Sequence, residues 1–350
     1  MNEQTIIAIL RSRIGDFSKG QYGLYDGLTG DILFSFLYSR LYNNKVFRQL
    51  GNEGLEVLQD NISQVKSLDR AEGLAGIGWA IEWLAQHRFI QVDTNDVLSD
   101  IESLIYRVTS FSSDSTISFA SGIIDKIVYF LQRFSNQSLS RYTQYTHREC
   151  LTYLSDDLYH KFELMKGHIL ADKKNTLEGN EAIRCLSEIL MISTPLLKAG
   201  VNISVCEKML YEAVDITRVI MEEYNQSSYL ENPRFNNLMI FQTIAALAVV
   251  GKSYNQAGWT QLAECSCEIY LSRNDLSSYG ENEVFLYYRS LVLLDSNLTG
   301  VSDLLKCCVM SDNLDVIKDN FGVNDHMFYK FFPYKFIRTN YFDDFLFFYF

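Results

Sequence analysis

Proline is nearly absent, with 3 in 350 residues, against the roughly 5% of positions it takes in average chains. So few chain breakers argue for long helices and against many turn-punctuated strands. Basic charge is also in deficit: 31 Lys and Arg face 43 Asp and Glu, a net charge of −12. No basic stripe is left to neutralise phosphates, which excludes nucleic acid and anionic membrane surfaces as expected partners. Long apolar runs are missing as well. The longest, Leu238 to Val250, is interrupted by Gln242 and Thr243 and falls short of the ~20 residues a membrane helix needs, so no membrane insertion is expected. The start, Met1-Asn2-Glu3-Gln4, has no basic stretch ahead of the short apolar run Ile6 to Leu10, so no secretory signal is read and a cytoplasmic protein is expected. The seven cysteines, Cys150, Cys185, Cys206, Cys265, Cys267, Cys307 and Cys308, are odd in number and scattered, which fits reduced thiols in the core.

What the chain does have is apolar residues at helical spacing. Val97, Ile101, Leu104, Ile105 and Val108 follow steps of three and four, as do Leu151, Leu154, Leu158, Phe162 and Met165, and again Val205, Met209, Ala213, Ile216 and Ile220. No comparable two-residue alternation occurs, so the expected class is all-α, with no Pro-rich or Ser-rich linker marking a domain boundary inside residues 1–350.

The glycines cluster early and recur. Asp26-Gly27-Leu28-Thr29-Gly30 opens one helix, Glu72-Gly73-Leu74-Ala75-Gly76 a second, Ser121-Gly122-Ile123-Ile124-Asp125 a third and Glu178-Gly179-Asn180 a fourth. Units of this length hold two helices and a connection, which is a repeat signature. Two missing side chains at a helix start let the backbone approach a neighbouring segment or a ligand. Gly27, Gly30, Gly73, Gly76, Gly122 and Gly179 are therefore expected to be close-approach positions at helix starts.

The phrases Gly27-Leu28-Thr29-Gly30-Asp31 and Gly73-Leu74-Ala75-Gly76-Ile77-Gly78-Trp79 resemble the repeated Gly-Leu-x-Gly-Ile motif of the lanthionine synthetase C-like family, the cyclases of lanthipeptide maturation. The resemblance covers about residues 20–135. It implies a single α/α toroid of about seven inner and seven outer helices, with the inner helix starts facing a central cavity, and a peptide substrate or a maturation enzyme as partner. The family's enzymes hold zinc with two thiolates and an imidazole, and the metal presents a substrate cysteine for attack on a dehydrated Ser or Thr. Here Asn237 stands where the fifth repeat would carry a zinc cysteine, and Gly280-Glu281-Asn282 where the sixth would carry Cys-His-Gly. Neutral asparagine cannot replace a thiolate, so no zinc or other cofactor is expected and no metal site is assigned. A seventh unit is read at Gly322 to Asp325.

Three functions follow. The first is a peptide-binding or scaffolding component of ribosomal peptide maturation that has lost zinc-dependent cyclisation. A second is a peptide-modifying cyclase using other groups. A third is a carbohydrate-active α/α toroid with Asp26, Glu72 and Glu178 as cavity carboxylates, although stabilising helix N-termini is their simpler role. His147 and Cys150, one turn apart, read as a surface histidine and a core thiol. The last thirty residues hold 14 Phe or Tyr, and this aromatic segment is expected to close the core beside the N-terminal helix of Ile6, Ile7, Leu10 and Ile14.

Overall fold

The computed structural model describes residues 3–15, 21–25, 27–111, 116–170, 177–226, 235–274, 286, 287, 289–291, 293, 294 and 298. Asp26, Gly280, Glu281, Cys307, Cys308, the seventh unit and the aromatic tail lie outside them. Among the described residues the secondary structure is helical: α1 (Glu3–Gly15), α2 (Leu28–Tyr42), α3 (Lys45–Asn61), α4 (Leu74–Gln86), α5 (Thr94–Val97), α6 (Ser99–Phe111), α7 (Ile123–Phe134), α8 (Arg141–Leu170), α9 (Leu177–Lys198), α10 (Ile203–Asn225), α11 (Asn237–Ser253) and α12 (Ala257–Arg273). No helix among them is long and apolar enough to cross a membrane. The chain packs as two compact units, one formed by the chain up to Leu158 and the other beginning at Tyr159, so the division falls inside α8.

Helices buried on every side alternate with helices buried on one. In the first unit α2, α4 and α7 are nearly free of exposed positions: Leu28 to Ser39, Leu74 to Leu84 and Ile123 to Arg133 are buried at almost every residue. A helix apolar all round must be enclosed by others, and α2 packs on α4, and α4 on α7. Between them α3 is amphipathic, burying Phe47, Leu50, Gly51, Gly54 and Leu58 against α2. Its two glycines are close-packing positions: a Cβ at Gly51 would lie 2.9 Å from the Phe36 ring, and one at Gly54 2.7 Å from Ile32. The second unit repeats the scheme, with the fully buried α11 between α9 and α12, and α10 against α9. There Phe241, Tyr270 and Tyr287 form one aromatic cluster, with the Phe241 centroid 4.2 and 5.0 Å from the two tyrosines and these 6.4 Å apart.

The stripe expected from Val97 to Val108 is cut in two. Asp93 accepts from the Asn95 amide and caps α5, and the next helix starts at Ser99. The buried residues become Leu98, Ile101 and Ile105, while Val97 and Leu104 are 50% and 38% exposed. The reading of His147 as a surface residue is also corrected: its ring is 1% exposed, and Nε2 lies 2.6 Å from Glu102. That pair belongs to a buried polar cluster in the first unit. Arg133 donates to Glu82, to Glu102 at 2.9 Å and to Thr94 at 3.2 Å, and Gln86 and Asn136 donate to Glu82 at 2.7 and 2.8 Å. Burial by itself would raise the Glu102 carboxyl, but the hydrogen bonds from His147 and Arg133 outweigh it and hold the group below its ordinary value.

Candidate functional site

Three of the predicted helix starts share one construction. Gly27, Gly73 and Gly122 are the N-caps of α2, α4 and α7. In each, the first helical amide donates to a carbonyl seven residues earlier: Leu28 to Gln21 at 3.0 Å, Leu74 to Ser67 at 3.0 Å and Ile123 to Thr116 at 3.2 Å. The connecting loop therefore folds back over the first turn of its own helix and satisfies donors that a helix start leaves free. Room for it comes from the glycines. A Cβ would sit 2.4 Å from Leu24 O at Gly30, 2.5 Å from Ser67 O at Gly73 and 2.0 Å from Arg70 O at Gly76. Gly122 also has φ +138°, a conformation that side chains disfavour. In the third repeat Asp125 takes the second glycine's place, and its carboxylate accepts from the Gly122 amide at 3.1 Å.

The three loops are themselves joined. Ala71 O accepts from Leu24 N at 2.8 Å, and Ala71 N donates to Ala120 O at 3.0 Å. Arg70, fully buried, donates to Tyr25 Oη at 3.3 Å and Phe119 O at 3.4 Å, and burial lowers its pKa. The repeated glycines thus bring loop backbone against helix backbone. Glu72, by contrast, is exposed, and its backbone amide donates to Asp69.

In the second unit the structure brings Glu178, Gly179 and Asn237 to neighbouring helix starts. Gly179 is not an N-cap: α9 already begins at Leu177, so the glycine lies buried in its first turn, with Glu178 exposed beside it. Asn180 Oδ1 accepts from the Asn236 amide at 2.8 Å, which ties the start of α9 to that of α11. Asn236 caps α11 by accepting from Leu238 N at 2.8 Å. Asn237 Nδ2 donates to Asn274 Oδ1 at 2.7 Å, and Asn274 Nδ2 donates to Tyr270 O at 2.9 Å and Tyr224 Oη at 3.2 Å. Among the described residues, Asn237 Oδ1 is buried without a hydrogen-bond partner. The result is a cluster of carboxamides that ends in one open acceptor.

This donor set does not fit zinc at Asn237. The amide is neutral, its nitrogen is committed to Asn274, and its oxygen is a hard, weak donor where a thiolate would be needed. Among the described residues no three His, Cys, Asp or Glu side chains are grouped so as to hold a metal ion. Cys150, Cys185, Cys206 and Cys267 are buried and Cys265 is exposed, so Cys265 and Cys267 point to different sides of α12. Burial pushes the thiols of Cys150, Cys185 and Cys267 up to about 12, far from thiolate character.

Farther along α9, Glu181, Arg184, Cys185 and Glu188 follow steps of three, one and three along one side of the helix. Arg184 pairs with both Glu181 and Glu188. Burial pushes the Glu188 carboxyl up to about 7, against the attraction of Arg184, so it can hold or release a proton near neutrality. Below its ordinary value of 4.5 the folded and unfolded chains both carry this proton. As pH rises from about 4.5 the unfolded chain loses it first, so the associated stability is lost as pH rises to and beyond 7. Glu188→Gln removes this dependence. Its melting temperature relative to wild type should be higher at pH 8 than at pH 5, and an unchanged difference between the two would refute the assignment.

The sequence reading did not find Asn180, Asn274, Arg70 or Glu188. Only Glu188 carried a signal, as the lone charge in the stretch Cys185 to Leu197. Asn274 lies beyond the end of α12 and meets Asn237 only through tertiary packing. Comparison of the sequence with family models and with curated proteins finds no match. Among solved structures, nisin cyclase is similar with a TM-score of 0.56 at 13% identity, over 98% of this chain and 97% of that one. At that identity the likeness shows the fold, and this chain has the all-α fold of nisin cyclase, the α/α toroid expected from its sequence.

Proposed function

We propose that this protein is a lanthipeptide-related component of peptide maturation, acting in the cytoplasm, that binds a peptide substrate or a maturation enzyme without zinc-dependent ring closure. The observation that carries this reading is the carboxamide cluster at Asn237. Zinc-dependent cyclisation needs a metal-held thiolate as nucleophile, whereas Asn237 presents a buried acceptor with no partner among the described residues. Such an atom suits a hydrogen-bond donor such as a peptide N–H, because an unmatched buried acceptor gains most when a donor arrives. The fold of nisin cyclase gives the peptide its place in the reading.

The test uses the full-length protein. Elemental analysis is expected to find zinc well below one atom per chain. A synthetic peptide carrying a dehydrobutyrine and a free cysteine is expected to bind with no fall in thiol titre. Addition of a thiol across the dehydrated residue leaves the mass unchanged and consumes the thiol. Tightly held zinc near one per chain, or a falling thiol titre at constant mass, would overturn the proposal. The second reading is a peptide-modifying enzyme using other groups, for which Glu188, buried on α9, is the group to test. Loss of peptide thiol without zinc, abolished in Glu188→Gln, would favour it.

A further inference from the structure

The helix α3 has a second face. Its buried side meets α2, but Arg48, Asn52, Leu55 and Gln59 follow steps of four, three and four along the side away from α2 and form one wall of a half-open groove of about 770 Å³. The opposite wall is the chain from Arg88 to Val92. The eleven helical rises from Arg48 to Gln59, at about 1.5 Å each, give this wall a length of roughly 16 Å, enough for about five extended residues.

Among the described residues the lining has eight apolar side chains, three carboxamides, two arginines and no carboxylate. In a chain with 43 acidic and 31 basic residues, a groove whose described lining holds no acid stands apart from the general charge. Neither Arg48 nor Arg88 meets a carboxylate among the described residues. Arg88 is an exposed residue with φ +58°. That left-handed turn is fixed by bonds from Arg88 N to Ala85 O at 3.0 Å and from Phe89 N to Leu84 O at 2.8 Å. The segment is also clamped from the side, since Arg40 lies 3.3 Å over the Phe89 ring and donates to His87 O at 2.9 Å.

We infer that this groove docks an extended peptide segment whose apolar side chains are flanked by carboxylates. Leu55, Ile90 and Val92 supply apolar contacts from the two walls, and Asn52, Gln59 and Gln91 can each give and accept a hydrogen bond with peptide backbone. Arg48 and Arg88 supply forked donors for carboxylates. The rest of this acidic chain repels such a segment, so the two arginines select the place as well as the charge. The inference rests on the peptide-binding reading above and adds a contact surface of stated chemistry in the first unit.

The experiment is selection from a displayed library of random dodecapeptides on the full-length protein, followed by anisotropy titration of the best recovered peptide, labelled with fluorescein. The expected result is recovery of acidic, apolar peptides whose Kd rises about tenfold or more on Arg48→Gln/Arg88→Gln and again on Val92→Asp, and rises with salt. Both arginines are exposed, so the double variant should melt as wild type does, and Val92→Asp gives an independent reading. Peptides that bind the arginine and Val92 variants as tightly as wild type would overturn the groove while leaving peptide binding intact. Recovery of basic peptides would also overturn it, and no enrichment of any peptide would overturn both this inference and the reading on which it rests.

Discussion

Arg133→Met is expected to destabilise the first unit by about 3–5 kcal/mol, because it leaves Glu82 buried without its cation. Arg133 and Glu82 have side chains 1% and 0% exposed, so solvent cannot take over the role of either partner. The guanidinium also reaches Glu102, Thr94 and Asn95, and its removal strands several groups at once. Urea unfolding followed by tryptophan fluorescence reads this directly, since Trp79 and Trp83 lie fully buried in α4 on either side of Glu82 in sequence. Glu82→Gln/Arg133→Met should recover a large part of the loss, because the buried charge goes with its partner. A single variant unfolding at the wild-type urea concentration would show that the cluster does not hold the unit together. The contribution of Glu102 has its own pH signature: with a lowered folded pKa, it stabilises above the ordinary carboxylate range and is lost as pH falls through the folded value.

Gly76→Leu should cost about 3 kcal/mol, at the upper end of overpacking effects. Its Cβ would fall 2.0 Å from Arg70 O, a backbone atom that cannot rotate away, and the Ala71 pairing with Ala120 fixes the loop that carries it. Moving that loop would disturb the joined starts of α2, α4 and α7 together. Gly258→Ala, at a position with nothing within 4 Å of the new Cβ, serves as the contrast and should be neutral or slightly stabilising. Thermal unfolding of both variants decides the matter: Gly76→Leu melting with wild type would remove close backbone approach as the reason for the repeated glycines.

The helical class and the first three repeat starts were legible in the sequence because they depend on local rules. Apolar residues at steps of three and four must face a core, and a glycine pair ahead of an apolar run marks a helix start whatever its neighbours are. The same locality limited the reading of the candidate site. Asn237 could be identified as a poor zinc ligand from its chemistry alone, but its partner Asn274 is 37 residues away, and no periodicity connects them. Gly179 matched the motif in sequence but lies within the first turn of α9, because Leu177 and Glu178 already have helical conformation. Val97 and Leu104 fitted the expected stripe but were displaced from the core by the break at Leu98, which is set by the cap at Asp93 and the burial of Leu98 itself.

By itself, then, the sequence determined that the chain is helical, where three repeat units open, and that Asn237 is a poor zinc ligand, since each follows from the spacing or chemistry of residues close along the chain. Tertiary structure alone decided that His147 is a buried partner of Glu102, that Arg70 joins three repeat loops, that Asn237 has one acceptor left open, and that Arg48 and Arg88 line one groove. Each of these depends on burial and on contacts between distant segments. Burial changes the free energy of a charged or polar group by more than any local propensity does, and a sequence does not display which groups will share the same buried space.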